Sequence, residues 1–177
     1  MPDFNITLDP GDYNDGVINT VVEIPKNSNL KIEWDRKRAT FRLDRIEPAI
    51  FAKPVNYGFI PGTLDEDGDE LDTLVIADQS LPTGIWLRAV IIGVLIFEDD
   101  KEMDYKIVCV PEDNRDNGNV IKSLQDLSPQ QIKQIEEHFK HYKDLKAPGT
   151  TKVEGWGDIN KAIGIIQDCV DRYQKAK

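Results

Sequence analysis

Cysteine and histidine are scarce in this sequence, and each shortage removes a class of chemistry. The two cysteines, Cys109 in KIVCV and Cys169 in a helical stretch, have neither CxxC nor zinc-finger spacing. They are expected to be reduced, buried, structural thiols, and neither is a candidate nucleophile. The two histidines, His138 and His141, form HxxH; two imidazoles cannot fill a zinc site unaided, so they read as structural or subunit-contact side chains. No apolar run approaches the ~20 residues of a spanning helix. The opening MPDFNITLDPGDYND lacks the basic start and apolar segment of a secretory signal, which makes the cytoplasm the expected compartment. Positive charge is also in short supply: Lys plus Arg total 22 against 32 for Asp plus Glu, a formal charge of -10. Such a field repels nucleic acid and anionic lipid. Walker A, dinucleotide, GxSxG and HExxH motifs are missing, which excludes the common nucleoside-triphosphatase, serine-hydrolase and zincin readings. With no repeat and no Pro/Gly/Ser linker, residues 1–177 read as one domain.

What is present changes period along the chain. Short β-branched or aromatic runs bounded by turn residues predict strands over 17–24, 30–35, 41–45, 72–77, 85–97 and 105–110. In SPQQIKQIEEHFKHYKDL, Ser128 is placed as N-cap, Pro129 at the first helical position and Gln131 three residues after the cap, a capping box. Ile132, Ile135, Phe139 and Tyr142 then recur at steps of three and four, so Tyr142 ends the stripe that faces the protein, with Lys143 beside it. A second helix is expected over about 158–174, with Gly164 as a weak point accepted for close packing. Strands followed by helices, without βαβ alternation, predict an α+β fold built around a small antiparallel barrel or strongly curled sheet, read as a five-stranded antiparallel barrel with two packed helices.

The densest chemical signal is DEDGDELD at 65–72. Two ionised carboxylates two residues apart in an extended chain repel by roughly 2–3 kcal/mol at an effective dielectric of about 20. A solvated turn would tolerate that repulsion, and a bound cation would remove it. The EF-hand pattern fails, because Glu70 and Ile76 stand where Gly and Glu are required and no helices flank the loop. Hard oxygens without a soft ligand suit Mg²⁺ or Mn²⁺. EDDKEMDYK adds Asp99 and Asp104 with Lys106, LKIEWD adds Lys31 and Glu33, and Glu23 and Arg45 lie in VVEIP and LDR. Carboxylates for metal alternating with cations for an anion are what phosphoryl transfer to water needs. A metal-dependent phosphatase of some other substrate, or a non-catalytic OB-type binding module, would use the same framework.

DGDELD followed by a strand resembles the signature of the family I soluble inorganic pyrophosphatases. VVEIPKNSN, LKIEWD, LDR, PVNYGFIPGTLDEDGD, HYKDL and KVEGW also resemble that family's blocks, in its order, over roughly residues 15–174. The resemblance implies an OB-like five-stranded antiparallel β-barrel with two packed helices, and magnesium-dependent hydrolysis of pyrophosphate by a cytoplasmic homohexamer of the bacterial type, with the HFKHYKDL helix at a subunit contact. It implies Asp67, Asp72, Asp99 and Asp104 as metal ligands, with Glu23 and Glu33 near the outer metals, and Asp69 as acceptor of the attacking water's proton. Lys31, Arg45, Tyr57, Lys106, Tyr142 and Lys143 correspond to the phosphate-binding groups. Two departures stand out, Lys53 where several bacterial relatives have Tyr and APGTTKVEGW without a Lys often found before that block; Glu70 replaces the commoner Pro but stays within the signature.

Overall fold

A computed structural model describes residues 3–176. After a single helical turn, α1 (Phe4–Thr7), the chain forms β1 (Val17–Ile24), β2 (Leu30–Asp35), β3 (Thr40–Ile46), β4 (Asn56–Phe59), β5 (Asp72–Val75), β6 (Trp86–Asp99), β7 (Glu102–Met103) and β8 (Lys106–Pro111). Helix α2 (Pro129–His141), strand β9 (Thr151–Gly157) and helix α3 (Ile159–Lys175) follow. Among the described residues no helix is long and apolar enough to cross a membrane.

The main sheet runs β1-β4-β5-β8-β6, and β1 pairs again with β6, so five strands close into a ring and leave no edge between first and last. β7 and β9 extend it along β6, while β2 and β3 form a separate hairpin. The ring departs from the expected all-antiparallel arrangement in one place: β5 and β8 are parallel, with Asp72 opposite Lys106. Parallel neighbours need a long crossover, and β6 with its turn supplies it.

Alternation along the strands sorts the core. Val75, Ile91, Val94, Ile107 and Cys109 pack with Ala162, Ile166, Cys169 and Val170 of α3. Their neighbours Leu74, Ile92, Leu95, Phe97, Val108 and Val110 pack with Ile135 and Phe139 of α2. Burying a side chain such as Phe139 stabilises the fold by about 2–3 kcal/mol. β6 changes parity between Ile91 and Val94 through a register shift at Gly93. A Cβ there would stand 2.5 Å from Leu124 Cδ1 and 2.7 Å from the Gly157 carbonyl, so only glycine permits the bulge. The hairpin is joined to the ring by an aromatic cluster, Phe4, Trp34, Phe41 and Phe59.

The capping box of α2 forms as the sequence predicts, with Ser128 accepting from the Gln131 N–H and Gln131 returning a bond to the Ser128 N–H. Cys109 and Cys169 are free and buried; burial raises both thiols, that of Cys169 to about 12. Gly164 corrects an expectation. A Cβ at that position meets nothing within 4 Å, so no close helix contact requires glycine there.

Candidate active site

One cleft of about 660 Å³ opens between the hairpin, the ring and the C-terminal end of α2. All thirteen residues singled out in the sequence line it. Strand ends bring them there: Glu23 near the end of β1, Tyr57 within β4, Asp72 at the start of β5, Asp99 at the end of β6, and Lys106 at the start of β8, two residues after Asp104. The hairpin contributes Lys31, Glu33 and Arg45, with Lys31 opposite Arg45 in register. Tyr142 and Lys143 arrive as α2 ends.

The acidic loop is built by its own backbone. Asp65 N–H donates to the Asp69 carbonyl at 2.7 Å, Gly68 N–H to the Asp65 carbonyl at 3.2 Å, and Asp69 N–H to Asp67 Oδ1 at 3.0 Å. Gly68 turns the chain at φ 93°, a conformation L side chains rarely adopt. The loop leaves Asp67 and Asp69 exposed and buries Glu70 and Leu71. Glu70 Oε1 accepts from Asn5 Nδ2 at 2.5 Å and Arg36 Nε at 2.8 Å, so the residue that departs from the commoner Pro fastens the loop to the N-terminus and the hairpin.

Carboxylates and cations interlock on the cleft floor. Lys106, almost fully buried, donates to Asp104 Oδ1 at 2.5 Å and to Asp72, which also receives the Tyr57 hydroxyl. Lys143 Nζ spans both Asp99 oxygens at 2.5 Å, and Tyr142 donates to Asp99 Oδ2 at 3.0 Å. Glu33 holds Arg42 at 2.7 Å and Lys31 at 3.7 Å; Arg45 pairs with Asp44 and Glu47. Glu23 Oε1 accepts the Trp34 N–H at 2.6 Å, tying ring to hairpin.

Crowded acids resist ionisation. Burial, then repulsion from Asp72, pushes the Glu23 carboxyl up to about 8. Burial lifts Asp104 to about 6 although Lys106 pulls it down. Burial, with Asp67, Glu70 and Asp72 nearby, raises Asp69 as well. For Lys106, burial opposes the charge, but Asp72 and Asp104 outweigh it and hold the ammonium above its ordinary range.

Among the described residues no three His, Cys, Asp or Glu side chains are gathered closely enough, as they stand, to hold an ion. The positive charge between Asp72 and Asp104 is instead the Lys106 ammonium, a stand-in that shows both carboxylates turned toward one cation. The surrounding donors are carboxylate oxygens, a set that fits Mg²⁺ or Mn²⁺ and not zinc. Arg36 Nη2 is buried without an acceptor beside the acidic loop, a donor suited to an oxygen-rich ligand. Arg36, Arg42 and Glu47 also line the cleft and were not singled out as site residues in the sequence. The signal for the arginines lay in the basic run DRKRATFR at the β2–β3 turn.

Hard carboxylate oxygens interlocked with lysines and arginines in one cleft, on an OB-like ring of strands, are the residue set of the metal-dependent enzymes that act on phosphate-type anions. The family model for inorganic pyrophosphatase matches residues 20–174, and the chain belongs to that family. It is 62% identical over 175 residues to the inorganic pyrophosphatase of Neisseria meningitidis serogroup B, covering 99% of both chains. It is 59% identical to that of Haemophilus influenzae, again covering 99% of both. The crystal structure of an inorganic pyrophosphatase from Neisseria gonorrhoeae superposes with a TM-score of 0.96 at 62% identity, covering 97% of this chain and 99% of that one. That of the Thermus thermophilus enzyme superposes with a TM-score of 0.87 at 34% identity, covering 94% and 97%.

Proposed function

We propose that this protein hydrolyses inorganic pyrophosphate to two orthophosphates in a magnesium-dependent reaction, with Mn²⁺ as an alternative hard cation. The single observation that carries the reading is one cleft in which carboxylates and cations interlock, Lys106 with Asp72 and Asp104 and Lys143 with Asp99, in a chain whose relatives bear that enzyme's name. Asp67, Asp72, Asp99 and Asp104 are the proposed metal ligands, with Glu23 and Glu33 around the outer ions. A divalent ion held by these carboxylates would neutralise phosphate charge and acidify nearby water.

Water oxygen attacks one phosphorus in line with the bridging oxygen, the P–O bond to that bridge breaks, and the departing orthophosphate keeps the electron pair. Asp69 takes the proton from the attacking water. Its raised pKa supports that role, because a carboxyl with greater proton affinity is a better base. Lys31, Arg45, Lys106 and Lys143, with the hydroxyls of Tyr57 and Tyr142, hold the two phosphoryl groups and draw off charge developing on the leaving one. A well-aimed donor of this kind is worth roughly 3 kcal/mol in the transition state. When substrate enters, Lys106 and Lys143 exchange carboxylate partners for phosphate oxygens.

The same reading includes one domain acting in the cytoplasm as a homohexamer. Exposed apolar side chains, Ile50 at 80% and Leu145 at 72% among them, support an assembly. The test compares phosphate release from pyrophosphate, ATP and a simple phosphomonoester, with Mg²⁺ and with EDTA. Rapid release confined to pyrophosphate plus Mg²⁺ is expected. Preference for another substrate, or release that EDTA leaves intact, would overturn the reading.

A further inference from the structure

Three ammonium groups surround one phenol ring in the cleft. Lys53 Nζ lies 4.9 Å from the Tyr57 ring centroid, Lys31 Nζ 5.5 Å and Lys106 Nζ 5.6 Å. Their counter-charges differ. Lys31 faces Glu33, and Lys106 is clamped by Asp72 and Asp104. Lys53 has no carboxylate within 4.0 Å among the described residues. Its ammonium rests in an aromatic cage, 5.4 Å from Phe139 and 5.0 Å from Tyr142 as well as on Tyr57, with His138 Nε2 at 3.4 Å.

The backbone fixes this residue in place. Lys53 N–H donates to the Ser28 carbonyl at 2.9 Å, and its own carbonyl accepts from Asn27 N–H at 2.8 Å. Ring faces stabilise a cation by about 0.5–2 kcal/mol each, but they do not cancel repulsion from two neighbouring lysines. Burial, then Lys31 and Lys106, lowers the Lys53 ammonium to about 7, with Asp72 and Glu47 pulling weakly the other way. A multiply charged anion placed among the three lysines relieves that repulsion at every one of them.

We propose that Lys53 is a further substrate-binding residue, a third lysine that contacts the phosphoryl group seated over Tyr57 and strengthens retention of both pyrophosphate and orthophosphate. This rests on the pyrophosphate reading and adds to it a residue at a position where several relatives carry tyrosine. The aromatic cage orients Nζ toward the anion, and the lack of a carboxylate partner means that binding substrate breaks no ion pair at this residue. That distinguishes Lys53 from Lys106 and Lys143.

The test is steady-state kinetics on Lys53→Met and Lys53→Arg, with orthophosphate affinity measured by calorimetry and folding followed by Tm. Methionine keeps the stem and packs well against aromatic rings. The expected result is a KM for pyrophosphate and a Kd for orthophosphate each raised about tenfold in Lys53→Met, kcat changed less, and values within about threefold of wild type in Lys53→Arg. A folded Lys53→Met with KM and phosphate Kd within twofold of wild type overturns the proposal. Loss of fold in Lys53→Met transfers the decision to Lys53→Gln against Lys53→Arg, read the same way. A wild-type protein that releases no phosphate from pyrophosphate fails the functional reading itself; an active wild type with indifferent Lys53 variants fails only this inference.

Discussion

Lys106 Nζ sits 2.5 Å from Asp104 Oδ1 while also donating to Asp72 across the parallel β5–β8 pair. One buried ammonium therefore balances two carboxylates that would otherwise repel. Replacing Lys106 by Met strands those charges, and breaking a buried ion pair from one side costs roughly 3 kcal/mol. Denaturation in EDTA should show that loss. Adding Mg²⁺ should return much of it, because the carboxylates then bind a cation without competition from the lysine. Equal stability of Lys106→Met and wild type in EDTA would show that the clamp contributes nothing.

Asp69 lies exposed in the acidic loop, and its side chain takes no part in the loop's hydrogen bonds. Asp69→Asn should leave Tm unchanged while lowering kcat for pyrophosphate about 100-fold or more at saturating Mg²⁺. Turnover close to wild type would remove Asp69 as proton acceptor.

His138 stacks on Tyr142 with ring centroids 5.7 Å apart and planes 18° from parallel. Burial, then the positive Lys53, pushes its imidazole down from 6.5 to about 3. The unfolded chain therefore binds the proton more readily than the folded one between those values. Stability should fall as pH drops through 6.5, and the loss is complete below about 3. His138→Phe keeps the stack and abolishes the titration, so its denaturation free energy should decline less steeply than wild type across that window. Parallel curves would contradict a neutral, buried imidazole.

Gly164 is exposed in the middle of α3, with open space where a Cβ would go. Gly164→Ala should add about 1 kcal/mol and raise Tm by roughly 2–4 °C. A lower Tm would reveal a contact that the isolated chain does not show.

Local signals were legible in the sequence and non-local ones were not. The capping box at Ser128 and Gln131 and the acidic run at 65–72 each lie within a few residues, so their chemistry survives reading one window at a time. β4 passed unread because NYGF is only four residues long and includes Gly58, where a Cβ would stand 2.0 Å from the Val21 carbonyl. β9 passed unread because Gly155 and Gly157 interrupt its alternation, and its pairing with β6 shifts register near Ile96. The Gly93 bulge reverses which side of β6 faces each helix, which only three-dimensional packing decides. Asp72 with Lys106, the Tyr57 ring with its three lysines, and Arg36 with Glu70 join segments far apart in the chain, so no spacing rule connects them.

Carboxylates that hold divalent cations, and lysines that hold the phosphates, should both be visible in anomalous diffraction from Asp69→Asn crystals grown with Mn²⁺ and pyrophosphate. Manganese peaks are expected between Asp72 and Asp104, with Lys31, Lys53 and Lys106 turned onto phosphate oxygens. Pyrophosphate bound in the cleft with no manganese at those aspartates, and Lys106 still clamped between them, would show that the carboxylates do not serve as metal ligands.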